Sequence, residues 1–222
     1  APYRTAVEAG VGAVMVSFNS YDGISMHANK QLITDTLKVG MGFDGIVLTD
    51  WKGFSRFGQK DIINAGVDMV MAVDGDLDLF QSKMKQAVDS GTVDITRIDD
   101  AVRRILRQKY RLGLFENPFP DSTLLEYVGS PKHRDKARQA VRESLVLLKN
   151  DSSALPINKS TKKIVVVGEH ANNTGLQSGG WSIEWQGVDR NYTGATSILK
   201  GIESVAQGEV VYDENNKEIY VR

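Results

Sequence analysis

Residues 45–50, with the sequence GIVLTD, decide the fold class of this chain. The run is apolar and β-branched, begins at a glycine and ends in Thr49 and Asp50, which is typical of a strand covered on both faces. Residues 11–17 (VGAVMVS) and 66–73 (GVDMVMAV) have the same character. The sequence therefore predicts three buried, parallel strands.

Helical patterns alternate with these strands. Leu32, Ile33 and Leu37 share one helical face after the first strand, and apolar residues recur at helical spacing between Leu77 and Val88 after the third. This βαβα order favours a parallel sheet with right-handed crossovers. Because the strand ends lie about 20–35 residues apart, the repeat fits that of a (β/α)8 barrel.

Two more helices are predicted downstream. Thr96 is expected to cap the first. Its apolar stripe is Ile98, Val102, Ile105 and Leu106. The second is expected to begin at Ser130, before a proline at the first helical position. Its apolar face comprises Ala137, Val141, Leu145 and Leu148.

A second α/β unit is predicted after a linker. Residues 151–162 are polar and interrupted by proline, which indicates a connecting segment. A new strand at residues 163–168, a helix within 195–206 and a strand starting near Glu209 then follow.

Composition excludes several classes of function. With 27 basic and 28 acidic residues the net charge is −1, and the basic residues are scattered, so nucleic acid is not an expected partner. No apolar run approaches the roughly 18 residues of a membrane span. There is no cysteine, and the three histidines are far apart, so neither a metal site nor a cofactor is expected. His27, ahead of a helix, is expected to have a structural role or to support a residue of the site.

The best catalytic candidate is Asp50. It ends a predicted parallel strand, and in such folds the loops at the carboxyl end carry the active site. A carboxylate followed by Trp51 suits sugar chemistry, because the acid can attack an oxocarbenium-like centre while the indole stacks on a pyranose face. The alternative is that Asp50 caps the next helix and that Trp51 belongs to the core.

A second candidate is the loop of residues 179–187, with the sequence GGWSIEWQG. Trp181 and Trp185 are flanked by glycines after a predicted strand, and exposing two indoles is unfavourable unless a ligand covers them. A sugar-stacking platform is one interpretation, and a plug at a domain interface is the other.

Several blocks together resemble glycoside hydrolase family 3, in that family's order and over essentially the whole chain. They are residues 42–51 (GFDGIVLTDW), 65–71 (AGVDMVM), 98–106 (IDDAVRRIL), 113–119 (GLFENPF), 143–150 (ESLVLLKN), 163–173 (KIVVVGEHANN) and 179–187. The last two resemble the exo-β-glucanase and β-glucosidase branch. The resemblance implies retaining hydrolysis that releases β-linked glucose from non-reducing ends, in a secreted or periplasmic enzyme.

The resemblance also implies roles for particular residues. Asp50 matches the catalytic nucleophile, and Trp51 and Trp185 match two indoles that clamp the sugar beyond the cleavage point. Arg56 matches an arginine that hydrogen-bonds sugar hydroxyls. Phe18 stands where relatives often carry tyrosine, so a hydroxyl contact to the nucleophile is in doubt there while stacking is retained.

The resemblance divides the chain into three parts. Residues 1–117 correspond to the C-terminal βα units of a TIM-like barrel, 118–162 to a connecting helix and linker, and 163–222 to the start of an α/β sandwich domain. The acid/base glutamate is expected beyond Arg222, and Glu184 is not assigned that role. We therefore expect an internal segment of a larger enzyme, inactive and poorly folded alone, whose partners are a β-glucan or β-glucoside and the remaining segments.

Three other hypotheses remain open. The chain could belong to a non-catalytic sugar-binding relative, or to a β-N-acetylglucosaminidase of the same family, which the loop at 179–187 argues against. Residues 65–70 also bear a weak likeness to a strand of phosphate-binding barrels.

Overall fold

The computed structural model describes residues 2–56, 59–73 and 75–215. The chain forms two compact units, Ala1–Val128 and Gly129–Arg222, and each is described by itself.

The first unit alternates strands and helices. In chain order its elements are α1 (Pro2–Glu8), β1 (Ala13–Met15), the hairpin strands β2 (Ser20–Tyr21) and β3 (Ile24–Ser25), a 3-10 turn (Met26–Ala28), a π-helix (Gln31–Gly40), β4 (Ile46–Leu48), α2 (Gly53–Arg56), α3 (Gln59–Ala65), α4 (Asp76–Asp89), α5 (Ile95–Arg111) and a 3-10 segment (Ser122–Tyr127).

The first two predicted parallel strands are present but shorter than the apolar runs, and β1 is not buried as predicted, since Met15 is 49% exposed. β1 pairs in parallel with β4, with Val14 opposite Val47. The third run forms a single parallel bridge, between Met69 and Leu48. The backbone at Met69 nevertheless continues the sheet, because its carbonyl accepts the N–H of Thr49 at 3.0 Å. The βαβα order is therefore confirmed, and the full strand predicted at residues 66–73 is wrong.

The core of this unit surrounds β4. Val47 is fully buried, and apolar side chains pack around the same centre from the π-helix, α2, α3 and the segments that follow the π-helix and α3. These include Ile33, Leu37, Phe43, Phe54, Ile62 and Val67. Alternation of β-branched strand residues with apolar helix faces thus produces the core that the pattern predicts.

Helix α5 differs from its prediction in two ways. Its cap is Asp94, whose Oδ1 accepts the N–H of Thr96 at 2.8 Å, so Thr96 is not the capping residue. Val102 and Leu106 of the predicted stripe are 47% and 40% exposed. The inward face instead carries Arg97 and Arg104, which form hydrogen bonds with the rest of the unit.

Those arginines belong to a charged cluster that ties α5 to the sheet. The side chain of Asp68 is fully buried and accepts Lys38 Nζ at 2.7 Å and the N–H of Val47 at 2.9 Å. Arg97 also pairs with Asp68, and Arg104 donates to the carbonyl of Phe43 at 2.8 Å. Burial lowers the pKa of Lys38, and the Asp68 carboxylate opposes this shift. A buried carboxylate with this many donors is satisfied, so the cluster stabilises packing.

The second unit is a small α/β layer. It contains α6 (Pro131–Ser144), a 3-10 turn (Asp151–Ser153), β5 (Lys163–Val167), a 3-10 turn (Glu169–Asn172), α7 (Thr174–Ser178), α8 (Ile198–Glu203) and β6 (Glu209–Asp213). β5 and β6 pair in parallel, with Val165 opposite Val211. The strands predicted at 163–168 and near Glu209 are therefore confirmed. Val166, Ala171 and Leu199 form its core.

The apolar segment after α6 remains exposed. Ser130 caps the helix, which begins at the following proline as predicted, but the helix ends at Ser144, so Leu145 and Leu148 lie beyond it in the following segment. Their side chains are 74% and 92% exposed. The single helical face predicted to reach Leu148 is therefore wrong. Across the described residues, no helix is both long enough and apolar enough to cross a bilayer.

Candidate active site

Asp50 lies just beyond the carboxyl end of β4, where backbone donors and acceptors fix its position. Its N–H donates to Nε2 of His27 at 3.1 Å, and its carbonyl accepts the N–H of Gly53 at 3.0 Å. Its carboxylate accepts the N–H of Trp51 at Oδ1, at 2.7 Å. One oxygen is thus held by the main chain, which fixes the direction of the other.

The turn after Asp50 is tight. Lys52 has φ +55°, in the left-handed region that side chains seldom adopt. Gly53 has no room for a side chain, because a β-carbon there would lie 2.6 Å from Nε2 of His27 and 2.9 Å from Cβ of Thr49. The local sequence therefore forces the chain to turn immediately after Trp51.

The structure does not show Asp50 as a helix cap or Trp51 as a core residue, which was the alternative interpretation. Asp50 Oδ1 accepts the N–H of the next residue rather than one from α2, which begins at Gly53. Trp51 is 53% exposed and so is not a core residue. An exposed indole beside a partly exposed carboxylate is chemically available to a ligand.

Phe18 and Arg56 meet beside this turn. The Phe18 ring stacks on the His27 imidazole, with centroids 5.4 Å apart and planes inclined by 27°. The guanidinium carbon of Arg56 lies 4.8 Å from the centroid of the Phe18 ring. A cation over an aromatic ring is an attractive contact that orients the guanidinium. His27 thus joins Asp50, Phe18 and Arg56 into one arrangement.

His27 is fully buried, and its hydrogen bond determines its protonation. Because Nε2 accepts from Asp50, that nitrogen carries no proton, and the neutral ring bears its proton on Nδ1. Burial lowers the pKa of His27 below its usual value, and the nearby Asp50 carboxylate partly opposes this shift. The buried ring is compatible with the structural or supporting role predicted for His27. Its link to Asp50 had no sequence signal, since the two are 23 residues apart.

The second unit presents the tryptophan loop. Trp181 and Trp185 are 84% and 64% exposed, and their ring centroids lie 6.2 Å apart. The loop closes on itself, because the N–H of Trp181 donates to the carbonyl of Trp185 at 3.1 Å. Glu184 pairs with Arg190 at 2.6 Å. The rings are therefore held outward on a constrained loop.

The predicted site residues are divided between the two units. Asp50, Trp51, Phe18 and Arg56 lie in Ala1–Val128, and the first unit brings Phe18, Arg56 and Asp50 together through His27. Trp185 lies in Gly129–Arg222, beside Trp181.

Two family models match the chain. Residues 1–108 match the glycosyl hydrolase family 3 N terminal domain, and residues 145–220 match the glycosyl hydrolase family 3 C-terminal domain.

Curated relatives are similar over most of this chain. A lysosomal beta glucosidase of Dictyostelium discoideum is 34% identical over 215 residues, which is 89% of this chain and 26% of the relative. A periplasmic beta-glucosidase of Salmonella typhimurium is 37% identical over 224 residues, covering 91% of this chain and 28% of the relative.

Solved structures have the same fold. The exo-1,3/1,4-beta-glucanase of a Pseudoalteromonas species matches with a TM-score of 0.84 and 40% identity, over 95% of this chain and 28% of that one. The beta-glucosidase of Listeria innocua, solved in complex with glucose, matches at 0.80 and 30% identity, over 98% and 30% respectively. The chain thus spans between a quarter and a third of these proteins.

Proposed function

The chain belongs to glycosyl hydrolase family 3, and we propose that it is the part of a longer β-glucosidase or exo-β-glucanase that carries the catalytic nucleophile. Support for a longer enzyme comes from the share of the relatives that it covers, 26% and 28% for the two glucosidases. The β-glucoside substrate class is supported by the Listeria innocua enzyme, whose structures include glucose and, for a mutant, laminaribiose.

Asp50 is the proposed nucleophile of a retaining reaction. One carboxylate oxygen forms a bond to the anomeric carbon while the bond from that carbon to the leaving oxygen breaks, and a separate acid protonates the leaving group. Water then cleaves the glycosyl ester, and the residue that gave up its proton in the first step now acts as the base. The observation that carries this role is the hydrogen bond from Trp51 N–H to Oδ1, which fixes the carboxylate beside an exposed indole.

The aromatic and cationic side chains are proposed to bind the sugar. Trp51 and Trp185 offer exposed indole faces, which suit the apolar faces of pyranose rings. Arg56 is proposed to donate to sugar hydroxyls while its guanidinium carbon lies 4.8 Å from the centroid of the Phe18 ring. The acid/base carboxylate is not assigned to Glu184, because that group already pairs with Arg190.

The same proposal extends to domains and compartment. Residues 1–117 are assigned to the last βα units of a barrel, 118–162 to a connection, and 163–222 to the start of a sandwich domain. The parallel pairs β1–β4 and β5–β6 are compatible with this division. Periplasmic and lysosomal relatives support a secreted or periplasmic location. The remaining segments of the enzyme are then the chain's partners, alongside the β-glucan or β-glucoside substrate.

Hydrolysis by the full-length protein tests the reaction. We expect proton NMR to detect β-glucose as the first glucose released from an aryl β-glucoside, before mutarotation, and the Asp50→Asn variant to release none. First release of α-glucose would contradict retention. Binding of laminaribiose without turnover by the wild type would instead indicate a sugar-binding relative, and preference for N-acetylglucosaminides would indicate that branch.

A further inference from the structure

His27 lies at the centre of the first-unit site, although it touches no solvent. It occupies the 3-10 turn Met26–Ala28, immediately after the β2–β3 hairpin, and its side chain is fully buried. Its Nε2 accepts the Asp50 N–H at 3.1 Å. This bond fixes the peptide group through which β4 leads into the proposed nucleophile.

The ring of His27 is packed from two sides, so its position is defined. One face stacks on Phe18, and the edge that bears Nε2 lies against Gly53, where a β-carbon would approach to 2.6 Å. Phe18 in turn carries the Arg56 guanidinium. A displacement of the imidazole would therefore move both the Asp50 peptide and the ring on which Arg56 rests.

We propose that His27 is a positioning residue for the reaction assigned above: its unprotonated Nε2 orients Asp50, and its ring face supports Phe18 beneath Arg56. This inference rests on the proposed function, because it gives His27 a purpose in the attack of Asp50 on the anomeric carbon. The lowered pKa of His27 agrees with it, since the hydrogen bond requires the neutral ring.

The expected effect follows from the geometry of attack. A nucleophile misplaced by about 1 Å loses roughly a hundredfold in rate, whereas ground-state contacts of the sugar with other side chains are little changed. Loss of the acceptor at position 27 should therefore lower kcat much more than it raises KM. If His27 were only structural, its substitution would lower thermal stability without lowering kcat more than it raises KM.

A matched pair of substitutions separates the acceptor from the volume of the side chain. In His27→Gln the amide oxygen extends about as far as Nε2 and can accept the Asp50 N–H. His27→Met has similar length and shape but no comparable acceptor. His27→Asn replaces the methionine variant if the latter does not fold, because the asparagine side chain is too short for its amide oxygen to reach the Asp50 N–H.

The test measures kcat and KM of the full-length variants on an aryl β-glucoside, below their melting temperatures. We expect His27→Met, or His27→Asn in its place, to lose roughly a hundredfold in kcat with KM within about threefold. The kcat of His27→Gln should be within about fivefold of the wild-type kcat. A folded acceptor-free variant with wild-type kcat, or a glutamine variant equally defective, would overturn the inference.

The wild-type measurement distinguishes the two proposals. If the wild type neither hydrolyses β-glucosides nor reacts covalently at Asp50, the proposed function fails and the role of His27 fails with it. If the wild type is active and reacts at Asp50 while the variants contradict the expectation, only the role of His27 is overturned.

Discussion

Gly53 and His27 are packed so closely that a β-carbon at position 53 would lie 2.6 Å from the imidazole Nε2. The same hypothetical atom would approach Cβ of Thr49, another fully buried residue, at 2.9 Å. The contact between a main-chain turn and a buried ring therefore holds the segment that carries Asp50.

Gly53→Ala should weaken both the fold and the activity. Overpacking a well-filled site typically costs about 1–3 kcal/mol, and relief of the clash would shift His27 and its bond to Asp50. We expect a lower melting temperature and a reduced kcat for the full-length protein, measured by calorimetry and glucoside hydrolysis.

Gly201→Ala is the matched control. Gly201 lies within α8 with open space where a β-carbon would be, so alanine should be neutral or stabilising by about 0.5–1 kcal/mol. Equal changes in melting temperature and kcat for the two alanine variants would contradict the packing explanation.

Trp185→Ala should weaken sugar binding without abolishing chemistry. The indole is 64% exposed and has no role in holding Asp50, so its loss should raise KM for laminaribiose about tenfold and leave kcat within about threefold. Steady-state kinetics on the full-length enzyme measure this division.

Leu155→Ala provides a comparison on the same unit, because Leu155 is 47% exposed in the segment between α6 and β5. It should leave KM unchanged. A Trp185→Ala enzyme with unaltered KM would remove Trp185 from the proposed sugar site.

The pH dependence of stability should report on His27. Burial lowers its folded pKa below the unfolded value of about 6.5, so below that pH the unfolded chain takes up a proton that the folded chain does not. This contribution to stability is complete above about pH 6.5 and is lost as pH falls toward the folded pKa. His27→Gln should show a smaller fall in melting temperature between about pH 7 and 5 than the wild type. Identical slopes would contradict the buried neutral imidazole.

The isolated 222-residue chain should be inactive and should unfold without a cooperative transition. Val146 and Leu148 are 76% and 92% exposed. Neighbouring apolar side chains that are left exposed to water favour aggregation. Differential scanning calorimetry and a glucoside assay of the purified chain test this expectation. A sharp melting transition together with turnover would contradict it.

Local patterns predicted much of the fold. The apolar run around Val47 and the valine run at 163–168 identified strands because β-branched composition is a local signal, and α4 and α5 followed from helical spacing. Strand lengths were overestimated, since pairing depends on neighbouring strands rather than on composition. The third run forms just one bridge among the described residues, at Met69.

The contacts that define the candidate site were less visible in the sequence. Asp50 and Trp51 could be predicted, because a carboxylate and an indole stand at the end of an apolar run that is typical of a strand. The hydrogen bond to His27 connects residues far apart in sequence, and no pattern marks it. The buried Lys38–Asp68 pair was missed for a different reason: charged side chains are usually exposed, and tertiary hydrogen bonds reverse that tendency here.

Covalent trapping tests the central claim that Asp50 is the nucleophile of a retaining β-glucosidase. The full-length protein would be inactivated with a 2-deoxy-2-fluoro-β-glucoside bearing a good leaving group, and the labelled peptide identified by mass spectrometry. We expect one fluoroglucosyl group on Asp50 and no labelling of Asp50→Asn. A label on another carboxylate, or hydrolysis of β-glucosides without any trapped intermediate at Asp50, would contradict it.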